Sequence, residues 1–222
     1  MKRYDLIIFD WDGTLMDSAH EMVGAMQQAI QDTGLPERTP AQMRELIGLG
    51  INDVLARLFP DLDAGKIKER LARYRARYGR AKSRVVLFEP VRETLELLGA
   101  QGFELAVATG KSRRGLDRAM KESDTRTYFK VTRCADESVP KPAPRLVEDI
   151  LLRTVVAPEH ALVVGDTEYD MAMARAAGVD AIGVRCGVHD ERRLKRAGAL
   201  AVLEDVGELP AWLADHAAPP LG

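Results

Sequence analysis

Cysteine is scarce in this chain, with two among 222 residues, Cys134 and Cys186. Neither lies in a Cys-x-x-Cys or Cys/His cluster, which argues against a structural zinc site. A chain of this length can also bury enough core to do without a disulfide, so both are read as free thiols. The four histidines, His20, His160, His189 and His216, match no ligand spacing and are read as surface or capping residues. Long apolar runs are missing: stretches such as Leu6-Ile7-Ile8-Phe9 are far too short to span a bilayer. Met1-Lys2-Arg3-Tyr4-Asp5 is basic but is followed by no secretory pattern, so the expected location is cytoplasmic, with no membrane partner. There is no excess of either charge, with 32 Lys and Arg against 34 Asp and Glu, which argues against a general nucleic-acid binder. Internal repeats and low-complexity tracts are absent, and the tail beyond Trp212 is expected to fray.

Short, continuous apolar runs are present instead. Leu6-Ile7-Ile8-Phe9 stops at Asp10, as a strand buried on both faces of a parallel sheet would. Similar runs are Leu105-Ala106-Val107-Ala108, Ala161-Leu162-Val163-Val164, Ala181-Ile182-Gly183-Val184 and Ala199-Leu200-Ala201-Val202. Helical periodicity lies between them. Pro90 opens a helix through Val91, Leu95 and Leu98, and further helices fit residues 112–121, residues 145–152 and the stretch carrying Met171, Ala174 and Ala177. This alternation predicts an α/β fold, a Rossmann-like open parallel sheet with helices on both faces. Ligands in such folds bind beyond the C-terminal strand ends, where Asp10, Thr109 and Asp166 fall.

Residues 16–84 break the alternation. Met22, Val23, Met26, Ala29 and Ile30 share one helical face, Pro40 opens a helix with Met43, Leu46 and Ile47, and Val54, Leu55 and Leu58 mark a third. Ile67, Leu71, Tyr74 and Tyr78 mark a fourth. The stretch is read as an all-helical cap inserted into a core made of residues 1–15 and 85–222. From Lys66 to Arg84 nine basic residues face a single acid, Glu69. The economical reading is a packed face backed by a solvated basic one, with steering of an anionic substrate or nucleic-acid contact as alternatives.

Four short signals carry the chemistry: Phe9-Asp10-Trp11-Asp12-Gly13-Thr14, Ala108-Thr109-Gly110-Lys111, Lys141-Pro142 and Gly165-Asp166-Thr167-Glu168-Tyr169-Asp170. Each alone has a plain explanation. An acidic pair can be a solvated loop, Thr109 a helix cap, Lys141 a loop lysine and Asp170 a helix-dipole partner. Their order and their places at strand ends make a joint site the better reading. Asp10 and Asp12 leave the sheet together, so one can attack phosphorus while the other handles protons. A carboxylate approaching a phosphate meets a repulsion of roughly 4 kcal/mol at about 4 Å, so cations are required. Mg2+ is the natural one, with Asp166 and Asp170 as further oxygen ligands and Lys141 as a fixed charge. Thr109 and Gly110 can present hydroxyl and amide donors to the phosphate at a helix start. The Gly110-Lys111-Ser112 sequence is not a P-loop, because Leu105 stands where that motif needs glycine.

These motifs resemble those of the haloacid dehalogenase superfamily of phosphatases over residues 6–184. The resemblance is strongest to phosphoglycolate-phosphatase-like members, through residues 12–18, 108–113 and 141–144. It implies that Asp10 is the nucleophile forming an aspartyl-phosphate and that Asp12 protonates the leaving alcohol and then activates water. It also implies that Thr109 and Lys141 hold the phosphoryl group. Metal is implied to be held by Asp10, Asp166 and Asp12, the last through its backbone carbonyl, with Asp170 binding or orienting the metal's waters. Gly48-Leu49-Gly50 is implied to face the active site and the helical insertion to choose the substrate, a small phosphorylated metabolite. The chain departs from that subgroup with Pro140-Lys141-Pro142-Ala143-Pro144 and with Glu89-Pro90 at the return to the core. The rival readings are a β-phosphoglucomutase-like sugar phosphomutase, which shares all four motifs, and a phospho-acceptor signalling domain, which lacks a cap. A catalytically idle binding protein is disfavoured because every required functional group is present. The default assembly is a monomer.

Overall fold

Strands that are apolar on both sides need packing on both faces, and four of them obtain it at the centre of one six-stranded parallel sheet. The computed structural model describes residues 3–63, 65, 67, 69 and 86–216. Its strands are β1 (Leu6–Phe9), β2 (Glu104–Thr109), β3 (Val131–Cys134), β4 (Ala161–Gly165), β5 (Asp180–Val184) and β6 (Val202–Leu203). They pair in parallel in the order β3-β2-β1-β4-β5-β6. Strand order reverses between β1 and β4, and the crevice beyond their C-terminal ends is where such sheets bind ligands.

The described helices are α1 (Ala19–Thr33), α2 (Pro40–Arg44), α3 (Ile51–Leu58), α4 (Val91–Ala100), α5 (Arg113–Glu122), α6 (Arg145–Thr154), α7 (Glu168–Ala176), α8 (Glu191–Ala197) and α9 (Leu209–Asp215). Side chains alternate across a strand, so each strand feeds two cores. Ile7 and Phe9 of β1, Leu105 and Val107 of β2 and Leu162 and Val164 of β4 pack with α4, α5 and α9. Leu6 and Ile8, Ala106 and Ala108, and Ala161 and Val163 pack on the opposite face with α6, α7 and α8.

The structure differs from the sequence reading at one edge. The expected strand over residues 199–202 begins only at Val202, because Ala199 closes α8 by donating from its amide to the Leu194 carbonyl, 3.1 Å away. Strand β3 carries polar Thr132 and Arg133 and alternates in burial, as an edge strand does, so it makes no apolar run. Both cysteines are free thiols, and burial raises the pKa of each. Among the histidines, His189 is buried while the other three are exposed.

Helices α1 to α3 enclose a third cluster built from Ile30, Met43, Leu46, Leu49, Val54, Leu55, Leu58, Phe59 and Ile67, with Tyr169 of α7 inserted into it. Met22, Val23 and Met26 are half-buried. Leu71, Tyr74, Tyr78 and all nine basic residues of the run lie outside the described residues, as do residues 217–222. The chain enters and leaves the helical stretch through two segments that lie side by side. The Asp17 amide donates to the Val86 carbonyl (2.9 Å) and the Phe88 amide to the Leu15 carbonyl (3.1 Å).

One residue is conformationally out of place. Val155, which ends α6, has φ 59°, and its side chain is 90% exposed. The left-handed region costs a β-branched residue about 1–2 kcal/mol, and the exposed side chain gains little from packing to offset this. Val155→Gly is expected to stabilise the fold by about 0.5–1 kcal/mol after allowing for glycine's freer unfolded chain, raising Tm by roughly 1–4 °C. Thermal melting of the variant decides this, and a lower Tm would show that Val155 contributes contacts worth more than its strain.

Candidate active site

Strand β1 ends at Phe9 and β4 at Gly165, so the residues that follow, Asp10 and Asp166, emerge beside each other at the switch point. Asp170 joins them from the first turn of α7. Thr167 caps that helix in a capping box with Asp170, which fixes the carboxylate: Thr167 Oγ1 donates to Asp170 Oδ2 at 2.6 Å. The carboxylates of Asp10, Asp166 and Asp170 are buried, with one oxygen from each within 4.8 Å of the others.

Lys141 enters from the loop before α6, and its side chain is fully buried. Its Nζ lies 2.6 Å from Asp10 Oδ1 and 2.5 Å from Asp170 Oδ1. Burial alone would lower the lysine pKa, but attraction to Asp10 and Asp170 prevails and the net shift is upward. Three carboxylates with one ammonium leave the pocket two charges negative when all are ionised. Burial is the main cause of the rise in Asp10, opposed by Lys141 and assisted by Asp170, and its pKa is pushed up to about 7. Asp166 is also raised, first by burial and then by the neighbouring Asp10 and Asp170 charges. Asp10 Oδ2 is buried with no hydrogen-bond partner. An orphaned carboxylate oxygen in an all-oxygen, electron-rich pocket fits a hard divalent cation.

Asp166 sits in a close-fitting cradle. Thr14 Oγ1 donates to Oδ1 (2.9 Å) and the Val188 amide to Oδ2 (2.9 Å). Gly13 has φ 86°, and a Cβ there would meet Asp166 Oδ2 at 2.2 Å, so this position requires glycine for both conformation and space. His189 supports the same corner. Its Nδ1 accepts from the Glu168 amide at the start of α7 (2.9 Å), and burial lowers its pKa, which keeps that acceptor free of a proton. This is a capping role.

Asp12 is also buried, but its carboxylate is not part of the acidic trio. Lys111 Nζ donates to Oδ1 and Oδ2 at 2.6 and 2.8 Å, and Ser18 Oγ donates to Oδ1 at 2.7 Å. The Asp12 carboxylate is thus committed to Lys111 and Ser18. Thr109 is buried at the end of β2, where its Oγ1 accepts from the Lys111 amide at 3.1 Å. Trp11 packs inward, with Nε1 3.2 Å from Met16 Sδ and its ring edge-on to Phe129.

The loop Gly48-Leu49-Gly50 closes over this edge. A Cβ on Gly110 would come within 2.5 Å of the Gly48 carbonyl oxygen, Gly48 packs against Thr167, and Gly50 packs against Pro140, next to Lys141. Around it Arg44 donates to the Gly187 carbonyl (2.7 Å), Tyr169 Oη to the Glu45 carbonyl (3.0 Å), and Arg193 pairs with both Glu45 and Glu168. Every residue assigned to the site from sequence therefore lies at one sheet edge, with Asp12 on its own set of partners. Thr14, Ser18, Lys111 and the amide of Val188 were not assigned roles from sequence. Thr14, Ser18 and Lys111 stand inside or beside the motifs, which was the available signal, whereas Val188 lies in a loop with none.

A Rossmann-like sheet with a buried acidic trio and lysine at its switch point defines an α/β enzyme of the phosphoryl-handling class. The chain belongs to the haloacid dehalogenase-like hydrolase family, whose profile matches residues 7–184. It is 28% identical over 220 residues to a phosphoglycolate phosphatase of Pseudomonas putida, covering 96% of this chain and 80% of that protein. It is also 30% identical to the probable phosphatase IndB of Dickeya dadantii, covering 92% and 91% of the two chains. A solved hydrolase from Pseudomonas syringae superposes with a TM-score of 0.86 at 27% identity, covering 96% of this chain and 99% of the other.

Proposed function

We propose that this phosphoric monoester hydrolase is a magnesium-dependent phosphatase that cleaves a small phosphorylated metabolite of the phosphoglycolate type through an aspartyl-phosphate on Asp10. The observation that carries this reading is the unpartnered Asp10 Oδ2, held in a buried pocket beside Lys141 and two further carboxylates. Similarity to phosphoglycolate phosphatases supports the substrate class.

Asp10, Asp166 and Asp170 would hold the cation, with the Asp12 backbone contributing. When bound, Mg2+ supplies positive charge that offsets repulsion between the attacking carboxylate and the phosphate and stabilises charge in the transition state. Asp10 attacks phosphorus, and the bond from phosphorus to the ester oxygen breaks. Asp12 gives its proton to the departing oxygen. Water then attacks the acyl phosphate as Asp12 takes a proton back, which returns Asp10 and releases inorganic phosphate. Lys141 and the Thr109 hydroxyl hold phosphoryl oxygens in line, aided by the amides after Thr109. The helical stretch acts as a cap, and Gly48-Leu49-Gly50 closes the site from that side and contacts substrate. This closure excludes bulk water.

Phosphate release from a panel of phosphorylated metabolites tests the reading. Activity is expected only with divalent cation and should vanish reversibly in excess chelator. Full turnover in chelator would remove the metal role, and isomerised sugar phosphate without phosphate release would make the chain a mutase. Metal binding also carries a pH signature. The folded-state pKa of Asp10 lies above its unfolded value of 3.8, so that residue's contribution to metal-free stability is present below about pH 4 and declines as pH rises through about 7. Mg2+ needs the deprotonated carboxylates, so the rise in Tm that it produces is expected to grow between about pH 5 and about pH 8.

A further inference from the structure

Lys111 is a buried-edge cation with an unusual partner. Its ammonium bridges both oxygens of Asp12, while Ser18 holds one of them from the linker side. Three of the roughly four acceptor positions on that carboxylate are thereby filled. A group that must serve a departing oxygen is tied down at rest.

Several other cations around this edge are committed elsewhere. Lys141 is paired with Asp10 and Asp170, Arg44 with the Gly187 carbonyl, Arg57 with Tyr169, and Arg193 with Glu45 and Glu168. The loop covering Gly110 brings backbone carbonyls and a leucine but no charge. The Lys111 side chain keeps 19% of its surface open.

We infer that Lys111 selects the substrate by binding a second anionic group, a carboxylate or phosphate, carried on the leaving alcohol of the phosphoester. Binding exchanges one ion pair for another: Lys111 leaves Asp12 for the substrate anion, and the freed Asp12 carboxylate takes up from solvent the proton that it then gives to the leaving oxygen. The inference rests on the proposed role of Asp12. It follows from reach, because an ammonium 2.6 Å from the group that serves the leaving oxygen lies near substituents one or two bonds beyond that oxygen. A neutral leaving group offers no such exchange and leaves Asp12 clamped. Selectivity should therefore appear in kcat as well as KM.

The test compares phosphoglycolate with its carboxyl methyl ester, a pair differing in one charge. Wild-type protein is expected to prefer the acid by roughly 10–100-fold in kcat/KM, the value of a charged hydrogen bond. Lys111→Gln should reduce that ratio to about 1, and Lys111→Arg should keep most of it. A ratio unchanged in Lys111→Gln overturns the inference, whatever happens to the absolute rates. So does a wild-type protein that does not distinguish acid from ester, a result that stands even if the variants fail to fold. If wild type releases phosphate from neither compound nor from any other phosphoester, the phosphatase reading itself fails and this inference with it.

Discussion

Asp10→Asn is expected to lower phosphate release by roughly 10⁴–10⁶-fold while leaving the fold intact, because the amide keeps the shape of the carboxylate and removes its nucleophilicity. The local geometry favours retention of structure. Asn Oδ1 can still accept from Lys141, as Asp10 Oδ1 does at 2.6 Å. The amide nitrogen would place a donor where Asp10 Oδ2 now has no partner, beside two other carboxylates. In metal-free buffer the variant should melt no lower than wild type, since one buried charge has been removed from a pocket that carries too many of one sign. Phosphate release and thermal melting measured on the same preparation test both halves. Wild-type hydrolysis by a well-folded Asp10→Asn protein would place the nucleophile elsewhere.

Lys141→Met should do the reverse, harming structure and chemistry together. The lysine is fully buried, and its ammonium is the positive charge that touches both Asp10 and Asp170. Removing one partner of a buried ionic cluster leaves uncompensated charge and costs about 3–5 kcal/mol. For a chain of this size that is a fall of roughly 6–20 °C in Tm. Part of the loss should return when excess divalent cation is added, because the cation offsets the same negative charge. Turnover should drop about 10²–10³-fold even where the variant is folded, since the proposed mechanism loses the fixed charge that would face the transferring phosphoryl group. If the variant melts within about 1 °C of wild type in metal-free buffer, Lys141 is not what balances the acids.

The central strands and their acids were legible because parallel pairing buries both faces. This writes β1, β2, β4 and β5 as plain apolar runs and makes the acids that follow β1 and β4 conspicuous. Asp10 and Asp166 could be placed at one edge on that basis. Strand β3 and helices α8 and α9 were not legible. β3 is an edge strand with two polar residues, and α8 reads as Glu-Arg-Arg-Leu-Lys-Arg-Ala, with a single buried leucine holding it to the sheet. The contacts that tune the site were equally hidden. Thr14 and Asp166 are 152 residues apart, and Lys111 and Asp12 are 99 apart; a hydrogen bond between such positions leaves no local pattern. Lys111 was visible within its motif, but nothing in the primary order shows that it closes onto the second acid and not onto phosphate.

Tyr169 and Asp170 are neighbours in α7, yet the first is embedded among apolar side chains of the helical stretch and the second completes the acidic trio. On the proposed function, lid and catalytic floor thus share a single helical turn. A chimaera that imports a foreign lid from a relative has to import a matching residue at position 169 as well. Otherwise the phenol either loses its socket or wedges against the newcomer, and the displaced helix start carries the adjacent carboxylate with it. Modular exchange of lids in this chain is therefore limited by one aromatic side chain on the floor side of the joint.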